Sequence, residues 1–264
     1  MSNNARRNKK KEVLETKPQP KSKFLQTETT PEGEIVQPNL PKFEAKTNSQ
    51  KKALAALRSG ASVVFMIGSA GSGKSMLASY EAASSLKQKK VDKIYLARPN
   101  VATGKTIGML PGTLEEKLEP FFAQTIEHLR KFMGSGFTNY CLRTKTIEMK
   151  AIEYLRGTSF ENCIVILEES QNFTADDLEM VLTRIGNNCR LILTGDTRQN
   201  DLKGNSGLAK TLKLLEDMIE LAPDYLDDED MKELDDNVAI IEFKPEDVVR
   251  SGITKSFVKI YYNN

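Results

Sequence analysis

Imidazole is almost missing from this chain: His128 is the one histidine among 264 residues. A helical HExxH zinc site needs two histidines, and a centre of several imidazoles needs more. His128 sits in a charged helical pattern, Thr125-Ile126-Glu127-His128-Leu129-Arg130, with no nucleophile motif near it, so a Ser-His-Asp triad is not expected. Remote in sequence from every motif below, it reads as a surface residue. Tryptophan is absent, and Cys141, Cys163 and Cys189 stand 22 and 26 residues apart, which leaves no CxxC pair for redox or zinc chemistry. No apolar run reaches the ~18 residues of a membrane span, and the first residues are polar and basic rather than a secretory signal. These absences point to a soluble, cytoplasmic protein without a membrane partner. Its chemistry must rest on Lys, Arg, carboxylates, hydroxyls and backbone.

Charge is spread unevenly beneath a net +2. Residues 1–23 hold eight basic side chains against Glu12 and Glu15, and residues 216–236 hold eleven carboxylates against Lys232. Residues 1–40 are poor in large apolar side chains and carry Pro18, Pro20, Pro31 and Pro38. Such a stretch buries too little surface to offset its ordering entropy, and a disordered basic tail is expected there. Residues 41–264 suit one domain, with 216–236 as an acidic insertion.

Through that domain short apolar runs alternate with helical patterns. Val63–Ile67, Lys93–Ala97, Cys163–Leu167, Arg190–Thr194 and Val238–Phe243 read as strands. Helices are expected over Asn48–Arg58, Lys74–Lys87, Leu114–Phe132, Ala175–Arg184 and Leu208–Asp217. Strand–helix alternation predicts an α/β fold with a parallel sheet and right-handed crossovers. The 65 residues between Ala97 and Cys163 are too long for a simple connection, so a helical insertion is expected there.

The strongest motif is Gly68-Ser69-Ala70-Gly71-Ser72-Gly73-Lys74-Ser75, followed by Met76, placed between a strand and an Ala-rich helix. This is the setting of a Walker A loop. Its glycines let successive N–H groups point at phosphate oxygens beside a helix N-terminus that favours anions. Lys74 is expected to reach the β- and γ-phosphates, and Ser75 to coordinate Mg²⁺. The run Cys163–Leu167 leads directly into Glu168-Glu169. Glu168, at the strand tip, is the expected second holder of the metal. Glu169, pointing to the other face, is the expected base that polarises water towards the γ-phosphate. A second acid in that place indicates hydrolysis more than transfer to a small acceptor. Thr194-Gly195-Asp196-Thr197-Arg198-Gln199 ends a further strand, where Thr194 and Gln199 are candidates for sensing the γ-phosphate; a plain turn is the alternative. Gln50, in Thr47-Asn48-Ser49-Gln50, has two readings. It completes a capping box with Thr47, or its amide reads adenine. No guanine-reading NKxD tetrapeptide occurs, which leans towards ATP.

In order, these segments resemble the PhoH-like family of P-loop ATPases, related to the first motor domain of superfamily 1 helicases. The likeness runs from about Phe43 to Tyr262. It includes Arg98-Pro99-Asn100-Val101, Gly108-Met109-Leu110-Pro111-Gly112, Tyr154-Leu155-Arg156-Gly157-Thr158 and Ile166-Leu167-Glu168-Glu169-Ser170-Gln171-Asn172. Leu182-Thr183-Arg184-Ile185-Gly186, Ser206-Gly207-Leu208 and Asp247-Val248-Val249-Arg250 continue it. The chain departs at Glu168, where the family usually has Asp, and at Ser170, where it usually has Ala. The longer Glu168 is expected to shift the metal or bind it through water.

The resemblance implies a three-layer P-loop NTPase with a RecA-like parallel sheet of order 5-1-4-3-2, and a homo-oligomeric, hexameric ring. It also implies an arginine supplied across a subunit boundary, for which Arg250, Arg184 and Arg198 are the candidates. Two functions follow as expectations. One is an ATPase acting on RNA or single-stranded nucleic acid as a helicase-like remodeller. The other is a nucleotide-gated assembly or protein-binding module with slow hydrolysis.

Overall fold

The computed structural model describes residues 40–99, 114–199, 201–202, 205–221 and 226–262. The basic tail at 1–39 and the Leu110-Pro111-Gly112 segment lie outside the described residues. The elements run α1 (Asn48–Ser59), β1 (Val63–Gly68), α2 (Lys74–Lys87), β2 (Lys93–Arg98), α3 (Leu114–Met133), α4 (Ser135–Arg143) and β3 (Ile147–Ala151). They continue with β4 (Cys163–Leu167), α5 (Ala175–Leu182), β5 (Cys189–Gly195), α6 (Gly207–Leu221), α7 (Asp228–Asn237), β6 (Val238–Phe243) and α8 (Gly252–Tyr262).

Every residue of β1 and β4 is buried, as the near-continuous apolar runs of a doubly covered parallel sheet require. Successive side chains take opposite faces. Val64, Met66, Leu96, Ile166 and Ile192 pack with α1–α4; Phe65, Ile67, Val165, Leu167 and Leu193 pack with Leu178 of α5 and Leu208 of α6. The result is three layers, α/β/α, of the RecA-like kind. Among the described residues no helix is long and apolar enough to cross a membrane.

All strand pairs are parallel, in the order β3-β2-β4-β5-β1-β6. Read from β6, the five expected strands stand in the order 5-1-4-3-2, and β3 adds a sixth beyond β2. The stretch between the second and third expected strands is therefore not helical throughout. Ile147-Glu148-Met149-Lys150-Ala151 alternates apolar and polar residues, the pattern of a half-buried strand, which the expectation of a helical insertion passed over. It is held by its register, Ile94 opposite Ile147 through Arg98 opposite Ala151, and by pairing of Glu148 with Lys93 and with Lys150 at 3.0 Å. The acidic segment contains the end of α6 and all but the last residue of α7, which begins at a capping box of Asp227 and Asp230 and whose first-turn acids suit the helix dipole. The carboxyl ends of β1, β2, β4 and β5 converge where open α/β sheets bind ligands.

Candidate nucleotide site

β1 passes into the glycine-rich loop, and α2 opens at Lys74 with Gly73 as its N-cap in the left-handed region, φ 94°. A Cβ on Gly73 would lie 2.9 Å from the Gln50 amide nitrogen, and one on Gly68 (φ 127°) would lie 1.9 Å from the Phe243 carbonyl oxygen. No other residue fits either place without moving backbone or brace. The Ser69 N–H donates to the Phe243 carbonyl at 3.0 Å, and the Ser72 hydroxyl donates to the Ser69 carbonyl at 2.8 Å.

Gln50 is buried beneath this loop and does not line the cavity above it. Its amide donates to the Ser72 carbonyl at 2.7 Å and accepts from the Lys46 N–H at 2.7 Å. Thr47 caps α1 by accepting from the Gln50 N–H at 3.2 Å, but the Gln50 side chain closes on Lys46 instead of on Thr47. Half of the expected capping box is therefore present, with the Gln50 side chain reaching back one residue further than the cap, and both of its amide atoms are engaged in bracing the loop.

The cavity, about 400 Å³, is lined on the loop side by Ala70, Gly71, Gly73, Lys74, Ser75 and Met76. Gly68, Ser69 and Ser72 stand behind them, both serines fully buried. Lys74 Nζ donates to the carbonyls of Gly68 at 2.6 Å and Ser69 at 2.8 Å. Burial pushes its pKa down to about 8, against the pull of the Asp196 and Glu169 carboxylates.

Glu168 is buried at the end of β4 and accepts a hydrogen bond from the Thr125 hydroxyl of α3. Burial raises its carboxyl pKa, and the Glu169 charge adds to the rise. Thr125, Arg98 and a hydrogen bond from Ser75 work the other way. Ser75 and Glu168 are hard oxygen donors side by side. Mg²⁺ takes such ligands from one or two protein groups and completes its shell with water and phosphate, so these residues fit the ion.

Glu169 has left-handed backbone, φ 53°, and caps a 3₁₀ turn over Ser170–Asn172. Its carboxylate accepts from Arg98 Nη2 at 3.1 Å and from the Gln171 amide at 2.8 Å. Buried Gln171 also accepts the Asp196 N–H at 3.0 Å, joining the ends of β4 and β5. Thr194 and Gln199 line the cavity beside Asp196.

Arg250 lines the same cavity, and a Cβ on Gly71 would lie 3.0 Å from its Nε. The chain between β6 and α8 brings it there: Val248 is buried and the Val249 N–H donates to the Gly71 carbonyl at 3.2 Å. Arg250 thus stands against its own chain's phosphate loop. Asp247 fixes that chain, accepting from the Ser49 hydroxyl at 2.8 Å and the Lys244 N–H at 2.9 Å. Burial opposes its ionised form, but hydrogen bonds from Thr47, Lys244 and Ser49 hold its pKa below the usual value. Arg184 and Arg198 do not line the cavity; Arg198 faces a separate hollow with Glu242 and Lys244.

The sequence reading missed one wall. Gln124 and His128, four residues apart on α3, line the cavity, and Thr125 between them reaches Glu168. His128 is half-buried rather than a free surface residue, and its Nδ1 is buried without a hydrogen-bond partner. Burial and the charge of Lys131 lower its pKa, against Glu127, so the ring is neutral near pH 7. Helical spacing placed these residues on one face, but nothing local in the sequence aims that face at the loop.

A profile described as PhoH-like protein matches residues 42–262. Protein PhoH of Escherichia coli (strain K12) is 35% identical over 221 residues, covering 82% of this chain and 57% of the relative. The PhoH-like protein of Bacillus subtilis (strain 168) is 34% identical over 221 residues, covering 83% and 64%. The chain thus spans under two thirds of the length of these relatives. Among solved structures, the Sulfolobus solfataricus SWI2/SNF2 ATPase core in complex with dsDNA aligns at a TM-score of 0.43 and 14% identity, over 79% of this chain and 46% of that one.

Proposed function

The chain belongs to the PhoH-like protein family, and from that premise we propose that it binds ATP with Mg²⁺ and hydrolyses it to act on RNA or single-stranded nucleic acid. The observation that carries this reading is the meeting of Lys74 and Ser75 from the loop with Glu168 and Glu169 from the end of β4 in one cavity. In the reaction, Lys74 leaves its own loop's carbonyls for the β- and γ-phosphates. Glu169 takes a proton from water as the water oxygen bonds to the γ-phosphorus. The bond to the bridging oxygen breaks, and ADP leaves with that electron pair. Mg²⁺, held by Ser75 and Glu168, would offset the phosphate charge. Gln199 orients the water, and Arg250, from the same chain, faces the developing charge.

A second reading, a nucleotide-gated homo-oligomeric ring of hexameric size, draws support from α8. That helix begins two residues after Arg250 and exposes Ile253, Phe257, Ile260 and Tyr261 along one stripe. Occupancy of the cavity and contact between copies would then be linked. The expected setting for either reading is the cytoplasm.

The test uses the full chain. His128 supplies the only imidazole signal and lines the cavity, so ATP binding is followed by its NMR shift. Lys74→Ala is expected to lose both the shift and turnover. Glu169→Gln is expected to keep the shift and lose turnover by about 10²-fold or more. Full turnover in Glu169→Gln would remove its role as base. Turnover unchanged by RNA and single-stranded DNA at low salt would favour the assembly over the remodeller.

A further inference from the structure

The strand register brings Arg98 to the acid pair. Ala97 on β2 stands opposite Leu167 on β4, and the Glu168 N–H donates to the Ala97 carbonyl at 2.9 Å, so the next residue on each strand is Arg98 and Glu168. The Arg98 guanidinium then spans three acceptors. It reaches Glu169 Oε1 at 3.1 Å, lies 4.0 Å from Glu168 Oε2 and donates to the Phe121 carbonyl of α3. Gln171 holds the other oxygen of Glu169. Both oxygens of the carboxylate proposed to activate water are therefore bound to donors. The Glu169 backbone is left-handed, φ 53°, at the cap of the turn over Ser170–Asn172.

A general base needs an oxygen within hydrogen-bond reach of the proton it takes, and an oxygen already held by a donor is turned away from that water. We propose that Arg98 is a latch on Glu169, a positioning residue that withholds the base from water until its guanidinium lets go. Arg98 lines the same cavity, and its pair with Glu169 opens and closes with nucleotide in place, so the base is free for only part of each cycle. The latch rests on the hydrolytic reading above.

The experiment compares ATP turnover by the full-length protein with that of Arg98→Ala, Arg98→Gln and Arg98→Lys. The pair is half-exposed, and such pairs contribute modestly, so the neutral variants are expected to raise kcat about two- to five-fold with KM unchanged. The gap from wild type closes as salt screens the pair. Arg98→Lys, which keeps the charge but loses the fork, falls between and serves if the neutral variants do not fold. Adding Glu169→Gln to Arg98→Ala returns turnover to that of Glu169→Gln alone. A fall in kcat, a rise in KM, or no change, in variants that melt like wild type, overturns the latch. Wild-type turnover lost in Lys74→Ala keeps the hydrolytic reading standing whatever the Arg98 variants do. Wild type as inactive as Lys74→Ala rejects that reading and the latch with it.

Discussion

In the proposed site Lys74 has to be charged to hold phosphate, yet burial brings its pKa down from 10.5 to about 8. Below pH 8 the ammonium is ready for ATP. Above it the side chain is neutral before binding, and the nucleotide must draw a proton onto it. Affinity for ATP is therefore expected to hold steady up to pH 8 and then to fall, approaching about tenfold per pH unit. Calorimetry in two buffers of different ionisation heat should show proton uptake on binding in the falling range. Affinity that stays level through the range, or binding without uptake, would contradict the shift. Stability moves the opposite way: between pH 8 and 10.5 the unfolded chain binds the extra proton, so the fold gains as pH rises. A lysine that binds phosphate well at neutral pH is thus held at some cost to the fold.

α6 shows how a short motif can be a packing constraint. Gly207 opens this helix where the chain crosses the start of α5, and its N–H donates to the Phe173 carbonyl at 2.8 Å. A Cβ there would lie 2.3 Å from the carbonyl oxygen of Thr174, the capping residue of α5. Leu208 beside it is fully buried under the sheet. Gly207→Ala is expected to cost about 1–3 kcal/mol through forced backbone shifts. Urea unfolding should show a lower midpoint with the slope unchanged, and an unshifted midpoint would mean that the crossing yields freely. Ser206-Gly207-Leu208 was legible as a motif, but its reason was not, because the atom it avoids belongs to another helix. The same division runs through the site. The phosphate loop and the five expected strands announce themselves because apolar runs, glycines and caps act over a few neighbouring residues. Thr125 meets Glu168 across 43 positions of sequence, and Arg98 meets Glu169 across 71. No local pattern encodes those meetings; the register of β2 on β4 and the docking of α3 create them. His128 reads as a surface residue for the same reason, since periodicity gives a helix a face but not what that face covers.

Taken whole, the molecule separates its charges: eight basic side chains in residues 1–23 and eleven carboxylates in residues 216–236. The acidic block leads into β6, and α7 within it buries no residue, so its field is open to solvent and repels a phosphate backbone. If the protein acts on RNA, the basic segment is the natural source of phosphate contacts, and these carry a salt signature independent of base sequence. Neutralising Lys9, Lys10 and Lys11 to Ala in the full chain is expected to weaken binding of a single-stranded RNA uniformly across sequences. The logarithmic salt slope should become shallower by up to about 2, at roughly 0.7 for each phosphate of the single strand that the variant no longer neutralises. ATP turnover without RNA should be unchanged, because Lys74, Ser75, Glu168 and Glu169, the groups proposed for the reaction, are intact in this variant. An unchanged slope with unchanged affinity would free the basic segment from any nucleic-acid role. RNA-stimulated turnover, if present, would then have to arise from the folded domain.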